Sequence, residues 1–236
     1  MQCLIVAAGQ GLRLRARGPS KPLALLAGKP LIAHVLSRAR AAGFKDFVVV
    51  TGHEAEHLES YLTGYAEQHG LNVALVHNPE FEKPNGLSVL AARNVVESPF
   101  LLTMCDHLID SENYREMTQL PLGDAGAILA VDANLENPLV DLEDVTKVKT
   151  QDGKILAIGK KLAEYDAFDT GLFLASHALM DAIAESAEAG NASISGGVTR
   201  LAAAGKARIH DVTGTFWIDV DSPALFEKAE AHLAKA

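Results

Sequence analysis

Residues 3–23 read CLIVAAGQGLRLRARGPSKPL: four apolar residues, a glycine turn, then arginines and a lysine. An apolar run of this length suits a buried strand, and cations behind a glycine turn suit an anion held over exposed backbone N–H groups. Two familiar versions of this plan fail here. A dinucleotide fingerprint needs G-x-G-x-x-G and an acid about twenty residues further on. Leu14 stands where its third glycine belongs, and Gly28-Lys29-Pro30 where its acid belongs. A Walker loop needs Gly-Lys-Ser/Thr to close the turn, and residues 9–15 carry none. What remains is a loop that faces phosphates with its N–H groups and projects Arg13 and Lys21 toward them, or a plain structural turn.

Outward from this stretch, short apolar runs at 4–6, 47–50, 73–76 and 100–104 alternate with helical patterns. The first pattern places Leu31, Val35, Ala39 and Ala42 on one face, between Pro30 as a start and Gly43 as a stop. The second carries Leu58, Tyr61, Leu62 and Tyr65 and ends near Gly70; the third carries Leu87, Leu90, Ala91 and Val95 and ends before Pro99. Strand and helix repeated in this way predict a parallel α/β sheet. In the second half, strands are expected at 127–131, 145–149, 155–158, 170–174 and 207–212, with Asp152-Gly153 as a hairpin turn that makes the sheet mixed. Helices are expected at 178–188, 197–204 and 223–236. With no linker between the halves, residues 1–236 are expected to form one domain.

Composition narrows the function classes. The 236 residues are 48% apolar and 22% charged, the balance of a globular chain. Twenty-one Lys and Arg against thirty Asp and Glu leave a net charge of −9, which repels nucleic acid. No apolar run reaches the roughly 18 to 20 residues of a membrane span, so no membrane insertion and a cytoplasmic location are expected. Cys3 and Cys105 both lie in apolar runs, so neither a disulfide framework nor a cysteine zinc site is expected.

Three aspartates stand where ligands gather. Asp106 follows the apolar run 100–104, at the strand end where open α/β sheets bind ligands. Asp219 and Asp221, in WIDVDSPAL (217–225), would share one face of an extended strand. Carboxylates so placed suit Mg²⁺, but each also suits a turn or helix cap, and Asp221 before Ser222-Pro223 would start the last helix.

IVAAGQGLRL (5–14), SKPL (20–23) and GKPLI (28–32) together resemble the signature of nucleotidyltransferases that join a nucleoside triphosphate to a phosphorylated small molecule and release pyrophosphate. The resemblance implies a Rossmann-like three-layer α/β sandwich of GT-A type, with a mixed, mainly parallel central sheet and a small antiparallel elaboration. It places Ala7, Ala8, Gly9 and Gly11 against base and phosphates, Arg13 and Lys21 on the triphosphate, and Mg²⁺ on Asp106 and Asp219 with Asp221 as the third candidate. Segments 78–93, 100–110 and 144–174 are similar to the CTP:inositol-1-phosphate cytidylyltransferases and more loosely to phosphocholine cytidylyltransferases. By that similarity Asn85, Gly86 and Ser88 enclose the nucleotide, while His107, Lys147 and Asp169 serve the acceptor.

The implied reaction transfers CMP from CTP to a phosphorylated polyol, with inositol 1-phosphate first and phosphocholine or a sugar 1-phosphate as alternatives. Expected partners are CTP and the acceptor; a homodimer stays open. Some inositol enzymes continue into a membrane-embedded transferase domain, so here a separate CDP-alcohol-using enzyme is expected to take the product. One departure is Cys105, where those enzymes carry glycine, which puts a side chain near the nucleotide. Two other readings have residues behind them. His53 to His57 spells H-E-x-x-H, the zinc hydrolase motif, though at a strand-to-helix turn rather than inside a helix. Asp169-Thr170-Gly171 matches one half of an aspartic protease, which needs two. A nucleotide sensor without chemistry is the third alternative.

Overall fold

The computed structural model describes residues 1–18 and 20–234. In its first half the elements are β1 (Cys3–Val6), β2 (Leu25–Leu26), β3 (Lys29–Pro30), α1 (Leu31–Ala41), β4 (Asp46–Thr51), α2 (Ala55–His69) and β5 (Asn72–His77). There follow α3 (Gly86–Ala91), β6 (Phe100–Met104), β7 (His107–Ile109), α4 (Ser111–Gln119) and β8 (Ala127–Asp132). The chain continues through β9 (Lys147–Gln151), β10 (Lys154–Gly159), β11 (Ala167–Ala175), α5 (His177–Glu188) and α6 (Ile194–Ala203). It closes with β12 (Ala207–Asp211), β13 (Trp217–Asp219) and α7 (Pro223–Leu233). The expected final helix ran to 236, and its last two positions lie outside the described residues.

Nine strands make one sheet in the order β5-β4-β1-β6-β11-β8-β12-β10-β9, and β9 also pairs with β11. The block β5-β4-β1-β6 is parallel, as the continuous apolar runs require. β11 runs antiparallel to both β6 and β8, and the turn at Asp152-Gly153, both with positive φ, joins β9 and β10 as an antiparallel hairpin. Side chains alternate between two cores. Cys3, Ile5, Phe47, Val49 and Leu101 face α1, α2, α4 and α7, while Leu4, Val48, Val50, Phe100 and Leu102 face α3, α5 and α6. The result is a three-layer α/β sandwich with a mixed, mainly parallel sheet.

Two expectations shift. α3 stops at Ala91 and passes into turns, because Asn94, Val95 and Val96 are poor helix formers. α4 has no counterpart in the sequence reading; its residues are mostly polar, and it is held by the buried Tyr114 and Met117.

The topology positions a site. From β1 the chain steps outward through β4 to β5, then returns to lay β6 on the other side of β1. The loops after β1 and β6 therefore border the crevice where strand order reverses. A second device completes it. β13 pairs antiparallel with β7, setting Asp219 opposite His107, and Val220 N donates to the Asp106 carbonyl at 2.9 Å. This ribbon is anchored at its far end by the Trp217 indole, which donates from Nε1 to the buried Asp132 Oδ2 at 2.8 Å. Asp132 also accepts from Asn137 Nδ2 (2.8 Å) and Asn134 N (2.9 Å).

Replacing the indole by a phenyl ring removes one donor from a buried carboxylate and a few ring atoms from the core. Trp217→Phe is expected to lower urea stability by about 1–3 kcal/mol, with an unchanged m-value; an unaltered midpoint would show that Asp132 does not anchor the ribbon.

Candidate active site

A cavity of about 560 Å³ opens at the C-terminal ends of β1 and β6, within the roughly 300–1,000 Å³ of small-molecule sites. Among its lining residues are Gly9, Gly11, Arg13, Lys21, Asp106, His107, Asp169, Asp219 and Asp221. The basic stretch near the N-terminus and the aspartates of the two distant segments thus meet in one place.

Gly11 has φ +57°, and a Cβ there would lie 2.2 Å from Lys21 Cβ. Only glycine lets the Lys21 side chain cross the loop and pair with Asp106 Oδ2. Gly9 faces open space. Ala7 and Ala8 are buried beneath the loop instead: Ala7 N donates to Val50 O (2.9 Å) and Ala8 O accepts from His53 N (3.0 Å). They brace the turn and do not line the cavity.

Asp106 is the hub. Its Oδ1 accepts from His107 Nδ1 at 2.9 Å, while Asp219 Oδ1 lies 3.8 Å from the same nitrogen. Burial by itself would raise the Asp106 carboxyl, but Lys21 and His107 outweigh burial and hold it far below the carboxylate range. The His107 ring, whose charge burial opposes, is pushed up to about 9 by Asp219, Asp106 and Asp169. Asp169 is pushed up to about 6 by burial, against the Gly171 N–H it accepts from at 2.7 Å and against His107. Gly171, at φ +81°, is where β11 bulges; a Cβ there would meet the His107 ring at 2.3 Å, so the glycine makes room for the imidazole.

On the other side of Asp219, Arg13 pairs with Asp221 and, at 2.8 Å, with Asp144 Oδ2. Burial raises the Asp219 carboxyl; Asp106 and Asp144 add to that, and His107 and Lys21 oppose it. Its Oδ1 is fully buried and accepts no hydrogen bond from any described residue. Among the described residues two groupings have ligand atoms close enough to share a cation, Asp106-His107-Asp219 and Asp144-Asp219-Asp221, and both include Asp219.

Other expected residues divide. Asn85 and Ser88 line the cavity, with Asn85 Oδ1 accepting from Ile194 N (3.1 Å) and Ser88 Oγ accepting from Asn78 Nδ2 (2.9 Å). Gly86 is a packing glycine: a Cβ there would sit 2.4 Å from Ala192 O. Lys147 is not brought to the cavity. Its ammonium donates to Leu142 O (3.0 Å) and Lys160 O (3.1 Å) and lies 5.5 Å from the Tyr165 ring centre. Lys160 and Asp144 line the cavity instead. Both come from loops, where no periodic signal in the sequence marks them. Cys105 also lines it, as a buried thiol pushed up by that burial.

The H-E-x-x-H segment does not form a zinc helix. α2 begins only at Ala55, Glu54 has φ +52°, and His57 Nδ1 bonds Glu54 Oε2 at 3.1 Å while the His53 ring packs 5.8 Å from Phe81. Among the described residues neither histidine belongs to a grouping of three metal-capable side chains.

Residues 3–193 match the model of the MobA-like NTP transferase domain. The chain belongs to that family. Among curated relatives of this transferase, a protein of Rubrobacter xylanophilus named bifunctional IPC transferase and DIPP synthase is 34% identical over 223 residues, 93% of this chain and 49% of that one. A protein of the same name from Aquifex aeolicus is 30% identical over 98% of this chain and 51% of its own. The chain thus spans about half the length of these relatives. In fold it is similar to the inositol-1-phosphate CTP transferase from T. maritima, with a TM-score of 0.85 and 23% identity over 97% of this chain and 96% of that one.

Burial of the Asp219 carboxylate, with Asp106 and Asp144 beside it, opposes its charge and weakens the fold. In buffer with a chelator, Asp219→Asn is expected to raise urea stability at neutral pH by up to about 1 kcal/mol, because a third of the side chain meets solvent and screens its charge. The folded pKa of Asp219 lies above the unfolded value, so wild-type stability falls as pH rises through that window. The gain should vanish below the unfolded carboxylate's ~4 and be complete well above it. A variant less stable than wild type at neutral pH would contradict this penalty on the buried charge.

Proposed function

We propose that this transferase moves CMP from CTP to inositol 1-phosphate and releases pyrophosphate. The observation that carries the reading is the meeting of Arg13 and Lys21 with Asp106, Asp219 and Asp221 in one cavity. Nucleotidyl transfer needs in-line placement and charge compensation more than covalent help from side chains, and these are residues for both tasks. The names of the relatives support the acceptor class.

One anionic oxygen of the acceptor phosphate forms a bond to the α-phosphorus of CTP. The bond from that phosphorus to the α,β-bridging oxygen breaks, and pyrophosphate leaves with the electron pair. Lys21 and Arg13 neutralise the triphosphate and the charge that builds on its oxygens. Gly9 and Gly11 let the loop backbone come close to the nucleotide, and Asn85 and Ser88 border its nucleoside end. On the acceptor side, Asp169 accepts hydrogen bonds from polyol hydroxyls, His107 donates, and Lys160 takes the acceptor phosphate in the place expected for Lys147.

The cavity carries six aspartates against four Lys and Arg, an excess that would repel two phosphorylated ligands. A divalent cation resolves this, and the residues fit one: the donors include hard carboxylate oxygens, Asp219 is common to both groupings, and its buried Oδ1 accepts no hydrogen bond from any described residue. Asp106 and Asp219 would hold Mg²⁺, with Asp221 third. Bound there, Mg²⁺ would supply compensation of phosphate charge.

A pyrophosphate-release screen of CTP, UTP, GTP and ATP against inositol 1-phosphate, phosphocholine and glucose 1-phosphate tests the reading. Release is expected with CTP and inositol 1-phosphate. Exclusive use of UTP or GTP would contradict cytidylyl transfer, and no release from any pair would favour a sensor. Lys21→Met is expected to lower kcat by about 10²–10³-fold, with the near-ultraviolet circular dichroism preserved.

A further inference from the structure

Asp144 is given no role in the proposed transfer, yet it holds one cation with each oxygen. Oδ2 accepts from Arg13 Nη2 at 2.8 Å, and Oδ1 pairs with Lys160. Arg13 belongs to the loop after β1, Lys160 to the turn after β10, and among the described residues their side chains share no other anion. The segment carrying Asp144 is built to reach this place. Asp141 caps a turn within it, through Oδ1 accepting from Glu143 N (3.0 Å) and O accepting from Val145 N (2.8 Å). Lys147 then stitches that segment to the Lys160 backbone by donating to both Leu142 O and Lys160 O. The side chain that sequence reading put on the acceptor phosphate therefore sets Asp144 beside Lys160.

A carboxylate bridging an arginine and a lysine at the edge of an anion cavity has the sign of charge, and one face of the geometry, of a phosphate. We propose that Asp144 is a positioning residue that stands in for substrate phosphate, holding Lys160 ready for the acceptor phosphate and Arg13 ready for the triphosphate until phosphate displaces it. This rests on the acceptor side being the Lys160 side, and deepens that reading. The displaced carboxylate does not lose all company, since it is a quarter exposed and turns to solvent. Its presence makes phosphate binding an exchange of anions, which lowers affinity while keeping two flexible cations ordered.

The test titrates inorganic phosphate into the full chain with Mg²⁺ present and reads the fluorescence of Trp217, the single tryptophan, which lines the cavity. Asp144→Asn removes the competing charge and should lower the half-saturating phosphate concentration by about three- to tenfold, the range of one or two partly exposed ion pairs. Asp144→Glu keeps the charge and should stay near wild type, and adding Lys160→Ala to Asp144→Asn should abolish the gain. In turnover, the KM for inositol 1-phosphate should fall in Asp144→Asn while kcat does not rise, since Arg13 is less ordered. Unchanged or weaker phosphate binding in Asp144→Asn overturns the proposal, as does a gain that survives Lys160→Ala. The phosphate titration needs no CTP, so a chain inactive in the release screen that still shows the gain would sink the transferase reading and leave the bridge standing.

Discussion

The contact between Lys21 and Asp106 joins the two halves of this site, and both residues are largely buried. Burying either charge by itself would be prohibitive, since desolvation of an ion costs several kcal/mol. Together they are tolerated, and each fixes the other: Lys21 is threaded past Gly11, and Asp106 is held at the end of β6 by the backbone bond from Val220. Around this pair the β7–β13 ribbon sets Asp219, and the loop after β1 sets Arg13. The protein thus keeps cations suited to phosphates in contact with carboxylates suited to a metal, so the cavity neutralises itself in part. Magnesium and a triphosphate would let each group exchange its partner, with charge balanced on both sides of the exchange.

Much of the fold is legible in the sequence because its strands are buried on both faces. Runs such as CLIV and FVVV have no polar position, which suits a strand covered on both faces, and their alternation with helical patterns makes the block parallel. The Asp-Gly turn marked the antiparallel hairpin for an equally local reason. α4 was invisible because its nine residues, SENYREMTQ, carry too little apolar content for periodicity to register. β7 and β13, three residues each, are too short for any pattern and exist because they pair with one another.

The site divides in the same way. Arg13, Lys21, Asp106 and Asp219 stand next to strands or in a compact signature, and all four line the one cavity. Lys147 is assigned to the acceptor phosphate by the resemblance alone, and a side chain's strand position does not say which way its long stem runs. Its ammonium satisfies two loop carbonyls, and Lys160, on a turn with no pattern of its own, lines the cavity. Asp144 was unreadable for a further reason: its importance lies wholly in which cations two other loops bring to it.

The most direct measurement of the central claim is anomalous diffraction from crystals grown with Mn²⁺ and a non-hydrolysable CTP analogue. The account predicts a manganese peak bounded by Asp106 and Asp219, with the Lys21 ammonium moved from Asp106 onto the triphosphate. Manganese bound elsewhere, or a nucleotide seated while Lys21 and Asp106 remain paired, would contradict it.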